Sequence, residues 1–203
     1  GTMGGTLKIC ATQLVLRRLL PAWLRRLQTK RPDIKVVLQE VRTADLSLVR
    51  AGKADVLVDY LPHVPEDIAV RQVAINRAFL VLQARHPLAA RKRIPLSALV
   101  DTPFISYSDP SLRDLQLRAL NADGGPTHSS HFADSADTIL AFVASGIGFS
   151  LVPSPFMNGP KFPGVVARRL SLSEAEFPVY AAWRARMPKN PLLDAALALA
   201  PSP

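Results

Sequence analysis

TLKICATQLVLRRLLPAWLRRLQTKRPDIKVVLQEVRTADLSLVRAGKADVLV, residues 6–58, is the stretch that decides the fold. Three segments rich in β-branched and apolar residues predict strands at 6–11, 34–40 and 54–58. The segments between them have the apolar spacing of helices that bury one face. Because strands alternate with helices, the stretch predicts an α/β fold with a parallel sheet and helical crossovers.

Local signals indicate where the two helices of this stretch begin and end. Pro21 lies inside the first helical pattern, so that helix either kinks or restarts there. Thr43 is predicted to cap the second helix, and Gly52 to close it in the left-handed conformation. The apolar face of the first helix comprises Leu16, Leu19, Leu20, Trp23, Leu24 and Leu27.

The rest of the chain predicts a second set of strands and helices. Residues 68–83 form one β-prone run, too long for a typical strand of about 5–6 residues, and are predicted to pass from one lobe to another. Ser135 or Asp137 is expected to cap a helix that Gly146 ends. Further strands are predicted at 104–107, 127–133, 149–152, 165–170 and 179–183, and further helices at 96–100, 111–120 and 192–199. The pattern predicts two small α/β lobes with a cleft between them.

Composition narrows the class of protein. The chain has 203 residues, 48% hydrophobic and 20% charged, as in ordinary soluble domains, and no apolar run approaches the about 18 residues of a membrane span. A single cysteine, Cys10, forms no disulfide framework and suits a reducing compartment. The net charge of +9 is dispersed and aromatic residues make up only 6%, which favours solvated faces over direct DNA binding by this segment.

Five local patterns in this order resemble one family, the effector-binding domain of LysR-type transcriptional regulators. Each pattern alone is weakly specific, but together they cover most of residues 6–200. They are Ala11-Thr12-Gln13 leading into Leu19-Leu20-Pro21; Arg31-Pro32-Asp33-Ile34; the segment 48–56, LVRAGKADV; His86-Pro87-Leu88-Ala89; and the segment 143–153, VASGIGFSLVP.

The resemblance implies a fold and an organisation. The fold is that of type 2 periplasmic binding proteins, with two Rossmann-like lobes joined by crossover strands. Lobe I is expected at 6–78 plus 174–203, and lobe II at 79–173. Residues 1–5, GTMGG, are expected to be a cloning remnant. In such regulators a winged helix-turn-helix domain, expected to be absent from this chain, precedes this module and alone contacts DNA.

The resemblance also implies a function. A small-molecule effector is expected to bind in the inter-lobe cleft and to control transcription allosterically, in a cytoplasmic protein with no membrane partner. A homo-oligomer, dimer or tetramer, is expected, with the first helix and second strand of lobe I meeting lobe II of a neighbour.

Candidate effector-binding residues follow the strands, because ligands of parallel sheets bind at the strands' carboxyl ends. Thr43 is alternatively a plain cap, Asp59 a turn-closing residue, and the serines turn residues. Leu14 stands where many relatives carry a hydroxyl, so either Thr12 and Gln13 replace a carboxylate clamp or the effector is less polar. The candidates in lobe I are Thr12, Gln13, Leu14, Thr43, Asp59 and Tyr60, and those in lobe II are Ser106, Tyr107, Ser108, Ser135 and Thr138.

Other chemistries are weaker interpretations. His128 and His131 are three residues apart, and on a strand their rings would point to opposite faces, so no metal site is expected. No nucleophile elbow or P-loop is present, and the chain is expected to be neither an enzyme nor a cofactor-binding protein. The alternative function on the same fold is a solute-binding protein of a transport system, which would need a signal sequence or lipid anchor.

Overall fold

The computed structural model describes residues 4–203, so residues 1–3 of the expected remnant lie outside the described residues. The chain divides into two compact units. Unit 1 extends to Ala74 and resumes at Pro178–Pro203, and unit 2 is Ile75–Phe177. Within residues 4–203, no helix combines the length and the apolar character that crossing a bilayer requires.

Unit 1 is built on a mixed sheet with the strands in the order β2 (Ile34–Val41), β1 (Gly5–Thr12), β3 (Val56–Tyr60), β9 (Glu176–Arg184) and β4 (Ile68–Gln83). The central strand β1 pairs in parallel with both β2 and β3, whereas β9 is antiparallel to β3. Since β1 has a parallel neighbour on each side, three carboxyl ends meet at one edge of the sheet. The elements are β1 (Gly5–Thr12), α1 (Gln13–Arg18), α2 (Leu20–Lys30), β2 (Ile34–Val41), α3 (Ser47–Arg50), β3 (Val56–Tyr60), the start of β4 (Ile68–Gln83), β9 (Glu176–Arg184) and α6 (Pro191–Ala198).

The first helix restarts instead of bending through its proline. α1 ends at Arg18, and α2 begins at Leu20 with Pro21 in its first turn, where the missing N–H of proline costs nothing. Trp23 is buried on α2, and its ring N–H donates to the carbonyl oxygen of Ala196 at 2.8 Å. This bond attaches the C-terminal helix α6 to the layer that covers β1.

The predicted cap of the second helix is wrong. α3 begins at Ser47, and Thr43 lies exposed in the loop before it. Asp45 takes the capping role instead, because its carboxylate accepts the N–H of Ser47 at 2.9 Å. Its pKa is lowered, chiefly by hydrogen bonds from the hydroxyl and N–H of Ser47. Gly52 closes the segment at φ +72°, as the sequence predicts.

Unit 2 contains the second half of β4, which lies between two antiparallel neighbours, β7 and β8. β5 and β6 form a parallel pair, and Phe104 makes a parallel bridge to Phe149 just before β7. The elements are a 3-10 turn at Leu96–Leu99, β5 (Ile105–Tyr107), α4 (Pro110–Ala122), β6 (His131–Ala133), α5 (Ala136–Ala144), β7 (Ser150–Ser154), β8 (Val165–Arg169) and a 3-10 turn at Ser173–Ala175.

The strand predicted at 127–133 is wrong over its first four residues, since β6 begins at His131. The N–H groups of Ser130 and His131 both donate to the carbonyl oxygen of Phe104, at 2.8 and 3.2 Å. His131 therefore lies in β6 and His128 precedes it.

Caps and a close approach fix the helices of unit 2. Ser135 caps α5 by accepting the N–H of Thr138 at 3.3 Å, and Asp109 caps α4 by accepting the N–H of Ser111 at 2.9 Å. Gly146 follows α5 at φ +87°, as expected from the sequence. Gly148 has no room for a side chain, because a Cβ atom there would lie 2.5 Å from the carbonyl oxygen of Pro103.

Candidate functional site

The carboxyl edge of unit 1 brings Thr12 and Asp59 together. Thr12 ends β1, and its N–H donates to Oδ2 of Asp59, near the end of the neighbouring strand β3, at 2.7 Å. The other oxygen, Oδ1, accepts the N–H of Tyr60 at 2.9 Å. Asp59 is 1% exposed, and these two N–H groups favour the charged form of its carboxyl group.

The hydroxyl of Thr12 is the unusual group at this edge. It is buried, and Oγ1 has no hydrogen-bond partner among residues 4–203. It does not cap α1 either. Buried polar atoms are nearly always paired, so an unpaired hydroxyl beside a buried carboxylate indicates a place where another molecule completes the bonding.

The other predicted residues of unit 1 have different positions. Gln13 and Leu14 form the half-buried first turn of α1, next to Thr12. Tyr60 is 1% exposed and pairs with Val179 of β9, which places its backbone within the sheet. Thr43 is exposed in the loop that follows β2. Gln13 and Leu14 follow Thr12 directly in the sequence, so of these residues they are next to the Thr12 side of the Thr12–Asp59 pair.

The carboxyl edge of unit 2 carries the predicted hydroxyls that lie in β5 or follow β5 and β6. Ser106 is fully buried, and its hydroxyl forms a hydrogen bond with that of Ser129. Ser108 is half-buried, and its N–H donates to the carbonyl oxygen of Ala133 at 2.8 Å. Ser135 and Thr138 share a hydroxyl–hydroxyl bond of 3.0 Å at the start of α5. The two strand ends and the cap therefore lie side by side.

Tyr107 carries an unpaired hydroxyl of the same kind as that of Thr12. It is 2% exposed, and its oxygen has no hydrogen-bond partner within the described chain. Burial is the main cause that raises the pKa of Tyr107, and the nearby charge of Asp137 adds to it. Tyr107 is therefore held as a neutral phenol, which both donates and accepts hydrogen bonds.

Sequence reasoning missed the polar group that organises this edge. Gln116, on α4, is fully buried; its side chain accepts the N–H of Tyr107 at 3.0 Å and donates to the carbonyl oxygen of Leu151 at 2.8 Å. The hydroxyl of Ser150 donates to the carbonyl oxygen of Ile105 at 2.5 Å. A glutamine on the apolar face of a predicted helix was the signal that could have revealed this network.

The chemistry of both edges is hydrogen bonding. Hydroxyls, the buried carboxyl groups of Asp59 and Asp109, and backbone groups predominate, which suits recognition of a polar small molecule. In residues 4–203, no group of three or more His, Cys, Asp or Glu side chains is arranged to hold a metal ion. A surface groove of about 510 Å³ in unit 2 is lined by residues between 158 and 167, from the loop before β8 and the start of β8, and none of the predicted residues lines it.

Comparison with known proteins identifies the family. The model of the LysR substrate binding domain matches residues 1–201, so the chain belongs to that family. It is 30% identical over 158 residues to the DNA-binding transcriptional dual regulator OxyR of Escherichia coli K12, which covers 75% of this chain and 51% of the relative. It is 28% identical over 152 residues to the HTH-type transcriptional regulator TtuA of Agrobacterium vitis, covering 72% and 50%.

Solved structures agree on the fold. The BenM effector binding domain with its effector benzoate has a TM-score of 0.84 at 21% identity, with 98% of this chain and 91% of that chain covered. The reduced OxyR regulatory domain from Pseudomonas aeruginosa has a TM-score of 0.78 at 23% identity, covering 97% of each. The predicted α/β fold, of the type 2 periplasmic-binding-protein kind, is thereby confirmed. The chain is a LysR-type effector-binding domain, and the comparisons do not favour a transport receptor.

Proposed function

We propose that this chain senses a small-molecule effector for a LysR-type transcriptional regulator and takes part in no catalysis. The family match and the regulators among its relatives support this. The observation that carries the proposal is the pair of hydroxyls, on Thr12 and Tyr107, that are buried and unpaired at the carboxyl edges of their sheets. Ligands of parallel α/β sheets bind at such edges.

The effector-binding residues are proposed as the set predicted from the sequence, with different roles. Thr12, Gln13 and Leu14 contribute from unit 1, with Asp59 fixing Thr12 in place. Ser106, Tyr107, Ser108, Ser135 and Thr138 contribute from unit 2. Tyr60 and Thr43 are peripheral in this proposal. The backbone of Tyr60 is paired within the sheet, and Thr43 lies in an exposed loop.

Control is proposed to be allosteric. An effector that binds one conformation better than another shifts the population towards it, and reversing a strongly biased equilibrium takes about 5.5 kcal/mol of differential binding. The chain spans about half the length of the curated relatives that it matches. DNA contact is therefore assigned to a part of the whole cytoplasmic regulator that lies outside these residues.

Self-association of the regulator is part of the proposal. β2 is the edge strand of the unit 1 sheet, and it exposes Val37 and Leu38, which are 47% and 49% accessible. Exposed apolar side chains on an edge strand offer a pairing surface, and this suits the dimer or tetramer expected from the resemblance. Sedimentation of the chain and of Val37→Lys tests this, with a loss of association expected for the variant.

The peroxide response in the names of several relatives is not carried over. This chain has one cysteine, and a disulfide within it would need two. Cys10 is buried in β1, and burial is the main cause that raises its pKa to about 11, which disfavours the reactive thiolate. The proposed signal is therefore a bound molecule.

The test is ligand-induced stabilisation. The protein is heated with a panel of small organic acids, amides, alcohols and amines, and a true effector raises the unfolding temperature in a concentration-dependent way. At 100 times the Kd the gain is about 2.7 kcal/mol, enough to detect readily. Absence of any stabilising compound across the panel would count against effector sensing.

A further inference from the structure

An acidic side chain of the protein itself, that of Asp59, lies at the end of β1. The carboxylate of Asp59 already accepts the N–H of Thr12, at 2.7 Å, and that of Tyr60, at 2.9 Å. A carboxylate from a ligand would compete for N–H groups that the protein's own side chain has taken. The end of β1 thus carries a built-in anion, 1% exposed to solvent.

A charged ligand bound at the end of β1 would interact with the charge of Asp59. Like charges repel strongly where water is excluded, because the effective dielectric constant is low. The negative charge of Asp59 acts over this region: after burial, it is the next cause that raises the pKa of Cys10, and Asp45 adds to it.

The hydroxyl of Thr12 remains available to a ligand. Oγ1 of Thr12 is buried without a partner among the described residues, on a residue that is 7% exposed. A hydroxyl can donate one hydrogen bond and accept others. Beside the carboxylate of Asp59, a ligand group that donates is favoured over one that brings a second negative charge. This side chain is an observation independent of the acidic charge.

We infer that the effector places an uncharged or cationic hydrogen-bond donor, such as an amide, hydroxyl or ammonium group, at Thr12, and not a carboxylate. The inference rests on the proposed function and names the chemical class that its site selects in unit 1. Leu14, an apolar side chain in the first turn of α1, is consistent with a ligand of low charge.

The experiment uses two matched series, benzoate with benzamide and benzylamine, and hexanoate with hexanamide and hexylamine. Their affinities for the chain are measured by calorimetry and by changes in the amide NMR signals of Thr12 and Gln13. In at least one series, the amide or amine is expected to bind at least tenfold more tightly than the carboxylate. Asp59→Asn, which removes the charge but keeps an acceptor, is expected to reduce that preference at least tenfold.

Thr12→Val gives a second reading if Asp59→Asn fails to fold. It should weaken the amide or amine at least tenfold, whereas Thr29→Val, a matched change on the exposed part of α2, should leave affinity unchanged. Equal or tighter binding of the carboxylates overturns the inference and leaves effector sensing intact. Binding by no member of either series also contradicts the inference, while a compound found in the broader panel would still support the proposed function.

Discussion

The side-chain oxygen of Gln116 accepts the backbone N–H of Tyr107 at 3.0 Å, so an α4 residue holds the last residue of β5 in position. Its nitrogen donates to the carbonyl oxygen of Leu151 in β7 at 2.8 Å. One fully buried amide therefore connects a helix with two strands of unit 2.

Replacing Gln116 with leucine should destabilise the protein markedly. Leucine fills a similar volume but leaves the N–H of Tyr107 and the carbonyl of Leu151 buried without partners. At about 1–3 kcal/mol for each of these two groups, the expected loss is about 2–6 kcal/mol, measured by urea unfolding. Arg118→Leu, at an exposed position on the same helix, should change stability by less than about 0.5 kcal/mol. Equal losses in both variants would contradict the role of Gln116.

Asp45, and not Thr43, should support the start of α3. Asp45→Ala is expected to cost about 0.5–1 kcal/mol because Ser47 loses its capping acceptor, whereas Thr43→Ala should be neutral. Hydrogen bonds from Ser47 lower the pKa of Asp45 in the folded protein below its ordinary 3.8.

The pH dependence of this cap has a definite sign. A lowered folded pKa means that the stabilisation is complete above about 3.8 and is lost as pH falls through the lowered value. The stability difference between the wild type and Asp45→Ala should therefore be largest at neutral pH and shrink in acid. A difference that grew on acidification would show that the carboxylate is not the source.

Thr12→Val should not destabilise the fold. The variant removes a buried hydroxyl that has no partner within residues 4–203, so the free energy of unfolding should be unchanged or higher by about 1 kcal/mol. Thr29→Val is the control, because Thr29 donates to the carbonyl oxygen of Arg25 at 2.9 Å on an exposed helix face. A loss above about 1 kcal/mol in Thr12→Val would show that its hydroxyl has a stabilising role in the free protein.

Two glycines separate backbone strain from steric overlap. Gly159 has φ +74°, and a Cβ atom there would lie 2.6 Å from a ring carbon of Phe79; Gly52 has φ +72° with open space around it. Gly52→Ala should cost about 1–2 kcal/mol from the left-handed backbone alone. Gly159→Ala should cost at least about 1 kcal/mol more, because the buried Phe79 ring must move. Thermal unfolding of both variants measures the difference.

Much of the fold could be predicted because its signals are local. The apolar spacing around Trp23, the restart at Pro21 and the closing glycines Gly52 and Gly146 depend on residues near one another in sequence. The run at 68–83, β-prone in composition but longer than a typical strand, is one strand, β4. Predictions failed where a group distant in the sequence determined the local structure. One example is the carbonyl oxygen of Phe104, which accepts the N–H groups of residues 130 and 131.

The candidate site was harder to predict because burial is a property of the packed chain. Their positions at strand ends make Thr12 and Tyr107 candidates from the sequence, but only the packed structure shows that their hydroxyls are buried and unpaired among residues 4–203. The sequence predicts Asp59 to be a ligand contact or a turn residue, whereas its carboxyl group accepts the N–H of Thr12, 47 residues away. No pattern within one strand indicates such a bond.

Cys10, sealed in β1 with its pKa raised to about 11, makes the chain convenient for fluorescence spectroscopy. At neutral pH, maleimide dyes react with thiolates, and the natural thiol is both protonated and inaccessible. A cysteine placed at an exposed position in each unit, such as Thr29 and Arg118, should therefore take up dye without removal of the natural one. Energy transfer between the two dyes would then report effector-induced motion in an otherwise unaltered sequence.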